Sequence, residues 1–253
     1  MNQDNFQSIK VSEVWEALSS VCDPELDEPI TELNFVEKVE VTTDYQVEIS
    51  FRLPTSWCSP NFAWLMSTDI ISEVGRLPWV VSVTPILRDH VYGDKINSGV
   101  TSGLEFSDVF ETDSIGGIED VRQKFALKAF QRRQETVLRG LMAENFSIND
   151  ILDMNLKDLS NYEFQNTDSE RQRIRYINIH DAFARGSLSA FVDEKGMPIK
   201  QDVFPKHLEK LRSIRLNMEF TGSICRSLLQ VRDKSEETVN KKYPNELSVV
   251  LSS

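Results

Sequence analysis

The chain has 253 residues, 40% hydrophobic and 27% charged, the balance of a folded protein with room for one large domain or two of ordinary size. Its 40 acidic and 28 basic residues leave a net charge of -12, a surface that repels phosphate backbones and anionic headgroups, so nucleic acid is excluded as a partner. No run approaches the roughly 20 apolar residues of a membrane span, and the first ten residues lack a secretory pattern; a cytoplasmic location is expected.

VSEVWEALSSV carries Val11, Val14, Trp15, Leu18 and Val21 at helical spacing, and Pro24 and Pro29 end that helix in the acidic stretch VCDPELDEPITELNF. FVEKVEV and YQVEISFRL read as two strands of a hairpin around a Thr-Thr-Asp turn. SPNFAWLMSTDIISEVGRL has the apolar spacing of a helix packed on that hairpin, and WVVSVTPIL supplies a third strand. The order αββαβ predicts two layers, with helices on one side of a sheet.

After Leu87 the pattern weakens into RDHVYGDKINSGVTSGLEF and the acidic FETDSIGGIED. The chain therefore divides into an α/β domain over residues 1–104, a linker over 105–118 and a mainly helical domain over 119–253, an α+β protein overall. In the helical part, a long amphipathic helix carries Leu127, Phe130, Val137, Leu138 and Leu141. Ser147 opens a short helix, and Thr167 with Glu170 forms a capping signal for another, which Gly186 can close. AFVDEKGMPI predicts a small hairpin around Lys195-Gly196; one or two helices follow, and the polar tail after about Asp233 is expected to fray.

Three widely spaced cysteines, Cys22, Cys58 and Cys225, fit reduced thiols better than a disulfide framework. Cys58 falls at or just before the N-terminus of the hairpin-following helix, where unpaired N–H groups and the dipole favour a thiolate, the form that binds metal. A small buried residue in the helix–sheet corner satisfies the same pattern. The acidic stretch is ordinary turn chemistry too, with Asp27 and Glu28 read as solvated. The topology nevertheless allows its loop to meet the Cys58 loop, bringing Cys22, Asp23 and Glu25 towards Cys58. Cys225, among Leu216, Phe220, Ile224 and Leu228, reads as core. Arginines 132, 133, 212, 215 and 226 suit either client docking or internal pairing with Glu135 and Glu219.

Asp23-Pro24-Glu25, Pro29-Ile30 and Leu33-Asn34-Phe35-Val36, followed by alternating strands and a cysteine before a helix, resemble the SufT/PaaD-type family of iron–sulfur cluster assembly factors over roughly residues 9–90. The resemblance implies a maturation or carrier domain whose Cys58 holds iron or a labile cluster. Two positions depart from it: Asn34 stands where the family has glycine, and around Cys58 the threonine is one residue closer and the proline one later. Asp89-His90, Ile96-Asn97, Gly99-Val100 and Lys128-Ala129-Phe130-Gln131-Arg132-Arg133-Gln134-Glu135 are similar to longer proteins associated with bacterial multicomponent diiron monooxygenases, which implies a monooxygenase component as client.

GxGxxG, GxxxxGK[ST], GxSxG, HExxH and CxxC are all missing, so a non-catalytic maturation factor is expected. Iron or a cluster would sit at Cys58, with Cys22, Asp23 or Glu25 as auxiliary ligands. One certain thiolate cannot complete a four-cysteine site, so a second copy, a client or a small thiol would supply the rest. The alternatives are a metal-free chaperone or regulator of a multicomponent oxygenase, and a thiol enzyme using Cys58 as nucleophile.

Overall fold

The computed structural model describes residues 3–110 and 117–242. Among the described residues the contacts form two compact units: residues 122–220 make one, while 3–110, 117–121 and 221–242 make the other. The sequence places residues 119–253 in one C-terminal domain, whereas these contacts group 221–242 with the first unit.

The first unit opens with α1 (Gln3–Leu18), followed by two short strands, β1 (Cys22–Asp23) and β2 (Glu28–Pro29), which pair antiparallel inside the acidic loop. The main sheet runs β3 (Val36–Val41), β4 (Gln46–Arg52) and β5 (Ser82–Arg88). β3 and β4 form the expected antiparallel hairpin; β5 pairs parallel to β4, because α2 (Pro60–Gly75) carries the chain back along the sheet. Val14 and Leu18 of α1, Ile49 and Phe51 of β4, and Met66, Ile70 and Val74 of α2 close a core between helices and sheet. Asn34 adopts φ 55°, the left-handed geometry for which the family has glycine, so the turn survives the substitution.

The stretch beyond β5 is more ordered than its composition predicts. α3 (Gly93–Thr101) buries Ile96 and Val100, and α4 (Phe106–Val109) buries Phe106. Asn97 explains why α3 docks: its side chain accepts from the Leu87 N–H at 2.9 Å and donates to the Leu87 carbonyl at 3.1 Å, extending the edge of β5. The centre of the expected linker, residues 111–116, lies outside the described residues.

The second unit is built from α5 (Gly117–Ala143), α6 (Ile148–Asp153), α7 (Leu156–Ser160), α8 (Thr167–Ala184) and the start of α9 (Phe204–Lys242). Phe130, Val137, Leu138 and Leu141 of α5 pack with Tyr176, Phe191 and Leu211. Ser147 caps α6 through a reciprocal pair with Asp150. The α8 cap is Asn166, one residue before the expected Thr167, because Asn166 reaches the Ser169 N–H while Glu170 turns to Arg173. Arg185 and Gly186 both take positive φ where α8 ends. A turn with Gly196 at φ 79° and a bridge between Val192 and Pro198 forms the small hairpin. α9 is one helix whose backbone continues past Asp233 to Lys242.

The KAFQRRQE segment lies inside this unit. Fully buried Gln134 donates to the Tyr176 hydroxyl and the Val192 carbonyl, each at 2.9 Å, and accepts from His207 Nε2 at 2.7 Å. Buried Arg133 donates to the Arg175 carbonyl, and Arg215 pairs with Glu135 and Glu219 at 2.8 Å each. Internal pairing accounts for Arg133 and Arg215.

Candidate functional site

The acidic loop is shaped by Asp23. Its Oδ1 accepts the N–H groups of Glu25 at 2.9 Å and Leu26 at 2.8 Å, while its carbonyl accepts the Asp27 N–H. Burial pushes the Asp23 carboxyl up to about 6; the two N–H bonds oppose the shift, and the charges of Glu25 and Glu28 add to it. Cys22 and Glu25 are half-buried in the same loop. Asp27 and Glu28 are not the solvated residues expected: Asp27 is buried at φ 54°, and half-buried Glu28 pairs with Arg226.

The Cys58 loop leaves β4 and enters α2 through Ser59 and Pro60, so Cys58 stands one residue before the helix cap, as its spacing predicts. The Thr55 hydroxyl accepts the Trp57 N–H at 3.3 Å and lies 3.4 Å from Cys58 Sγ, a bond in which either group can donate. Half-buried Cys58 lies next to Trp57, which is 80% exposed. Beside the first turn of α2, a cleft of about 540 Å³ is lined by Pro60, Asn61, Tyr92, Lys95, Phe106 and Phe110, among others.

His90 bonds the Cys58 carbonyl through Nε2 at 2.8 Å, and the Val91 N–H donates to the Ser56 carbonyl at 3.0 Å. Cys225, read as core, is only half-buried, with Ile224 and Leu228 exposed beside it. Burial raises the Cys225 thiol to about 11, and the charges of Asp23, Glu25 and Cys58 raise it further, opposed by Arg226. These groups are thus close enough to act on one another, and β1 also packs against α2, the helix that Cys58 precedes. No local signal links Cys225 to Cys58, because they lie far apart in sequence.

Among the described residues, no three His, Cys, Asp or Glu side chains stand together closely enough to hold a metal ion by themselves. The donors available are soft thiols beside hard carboxylates, half-buried at the end of a sheet. Among the described residues this set does not make a closed four-ligand site.

The fold and this site define a small α+β domain with a thiol-bearing loop at the mouth of a helix. Residues 12–84 match the family model described as iron–sulfur cluster assembly protein, consistent with the SufT/PaaD-type resemblance of this segment. The role this domain supports is iron–sulfur cluster assembly. No curated protein and no solved structure matches the chain. No described helix is long and apolar enough to cross a membrane.

Proposed function

We propose that the protein is a non-catalytic maturation factor that holds iron or a labile iron–sulfur cluster as cargo at Cys58 and passes it to a protein client. The observation that carries this reading is the position of Cys58: one residue before the cap of α2, with the Thr55 hydroxyl on its sulfur, inside the segment that matches the assembly family. Cys22, Asp23 and Glu25 are the auxiliary ligands in this reading. Asp23 is held by its loop bonds, whereas Cys22 and Glu25 are half-buried. The remaining coordination positions belong to the client, a second copy or a small thiol.

The client assigned by the resemblance of DH…IN…GV and KAFQRRQE is a component of a multicomponent diiron monooxygenase. Asp89, Ile96, Asn97, Gly99, Val100 and Gln134 have structural tasks in this fold. Those segments therefore support shared architecture first and a shared client second.

Anaerobic reconstitution with ferrous iron and sulfide tests the reading. The parent is expected to gain iron and visible absorption, and Cys58→Ser to lose most of both. Equal iron content in the two proteins excludes the ligand role. That no three-ligand group stands together among the described residues keeps the metal-free chaperone as the competing reading. That reading gains if neither protein binds iron while a pull-down still recovers a monooxygenase component.

A further inference from the structure

The loop that carries Cys58 is bordered by exposed apolar side chains. Trp57 is 80% exposed, and among the described residues nothing accepts its indole N–H. A side chain that large is seldom left in water, whereas tryptophan is enriched among the residues that anchor protein interfaces. Val91, whose N–H donates to the Ser56 carbonyl, and Tyr92 continue the exposed surface from the end of β5. Tyr92 also lines the cleft beside α2, whose first residues, Pro60 and Asn61, follow Cys58 by two and three positions. Phe106 and Phe110 stack at 4.8 Å along another part of that cleft, and its volume of about 540 Å³ is that of a pocket able to take bulky side chains.

Lys95 is the cation among the described lining residues. It is exposed, its Nζ stands 4.8 Å from the centre of the Phe110 ring, and among the described residues no carboxylate pairs with it, although the chain carries a net charge of -12. Asp108 lines the same cleft, but its carboxylate is engaged by the Glu105 N–H at 3.1 Å in the cap of α4. An unpaired ammonium above an aromatic wall is open to a carboxylate brought from outside.

We propose that the client docks on this surface through a segment that carries a bulky apolar side chain beside a carboxylate: the side chain enters the cleft, the carboxylate meets Lys95, and Trp57 enters an apolar pocket of the client. The inference rests on Cys58 being the cargo residue, since a client held by Trp57 on one side of it and by the cleft at α2 on the other is held where cargo is handed over. Charge argues against a second copy as the occupant. Two chains of -12 repel, and a face-to-face contact would offer Lys95 only the engaged Asp108 from the lining of the other cleft.

A displayed library of random heptapeptides panned on the full chain reads the chemistry without any variant. Enrichment of sequences with a bulky apolar residue beside Asp or Glu is expected; enrichment of basic sequences, or of none, overturns the inference. The most enriched peptide, synthesised and labelled, should bind Lys95→Glu and Trp57→Ala each at least about tenfold more weakly than the parent in fluorescence anisotropy. Both side chains are exposed, so neither change opens the core, and unchanged affinity in either variant overturns the inference. Sedimentation of the parent as a dimer and of Trp57→Ala as a monomer gives the surface to a second copy and also overturns it. Both variants should take up as much iron as the parent in anaerobic reconstitution. Iron uptake that depends on Cys58 while the peptide contacts fail removes the docking inference alone; equal uptake by the parent and Cys58→Ser removes the cargo reading on which it rests.

Discussion

His90 Nε2 lies 2.8 Å from the Cys58 carbonyl oxygen, and the Tyr92 N–H donates to His90 Nδ1 at 3.2 Å. The second bond makes Nδ1 the acceptor, so Nε2 carries the proton and donates to Cys58. His90 is thus a positioning residue that ties the end of β5 to the loop holding the sulfur.

His90→Ala is expected to cost about 1 kcal/mol of stability and to raise the alkylation rate of Cys58 severalfold. His90→Gln, which keeps a donor, should recover part of the effect. An unchanged alkylation rate in His90→Ala refutes the positioning role.

Asp23 gives a pH signature. Its folded carboxyl titrates at about 6, above the ordinary 3.8, so across that window the folded chain holds a proton that the unfolded chain has released. Stability contributed by this group therefore falls as pH rises through the window and levels off above it, by an amount on the order of 2 kcal/mol. Asp23→Asn keeps the acceptor for the Glu25 and Leu26 N–H groups and should flatten this slope in urea melts between pH 4 and 7. Asp23→Ala should lose about 1 kcal/mol at all pH values, as a lost cap does.

The second unit has the opposite slope. Burial lowers His180, opposed by the Ser189 carbonyl and Asp181, and lowers His207, with Lys210 adding to it against Asp193 and Glu194. Both groups resist protonation when folded, so stability is full above the unfolded value of 6.5 and is lost as pH falls below it. The urea midpoint of this unit should drop between pH 7.5 and 5. A double variant His180→Gln, His207→Gln should remove most of the drop.

Gln134 joins α5 to Tyr176, Val192 and His207, and its loss leaves buried polar groups unpaired. Gln134→Ala is expected to destabilise by ~2–4 kcal/mol, measured by chemical denaturation. A change below about 0.5 kcal/mol shows that the network relaxes around the gap.

Gly99 lets α3 approach α2. A Cβ there would lie 2.7 Å from Val109 Cγ2 and 2.9 Å from the Trp64 ring, both closer than packing allows. Gly99→Ala should cost ~1–3 kcal/mol in thermal or urea melts. A neutral result would mean that α3 shifts without loss of packing.

What could be read locally was read correctly in large part. Periodicity placed Val14, Leu18, Met66, Ile70 and Val74 in the core, and the αββαβ order followed from strand alternation and turn residues. The position of Cys58 before α2 was also legible, since Ser59-Pro60 marks a helix start. The role of Asn34 followed from its tolerance of left-handed geometry.

The misses share one physical cause: their deciding partners are distant in sequence. Asp27 looked solvated because it is charged and sits in a turn, yet the fold buries it. Arg226 looked like a partner for nearby acids, yet it reaches Glu28 across the length of the chain. Asn97 and Gly99 looked like connector residues until β5 and Trp64 came beside them.

The sequence by itself determined the main helices, the strands of the three-stranded sheet, the first core and one thiol at a helix mouth, because these depend on spacing within a few turns of chain; α3, α4 and the β1–β2 pair it did not. Only the tertiary structure decided what faces that thiol. His90 reaches it after β5 pairs parallel with β4, and α9 comes to the acidic loop through the pairing of Arg226 with Glu28. Both approaches are set by packing between elements, which no local pattern encodes.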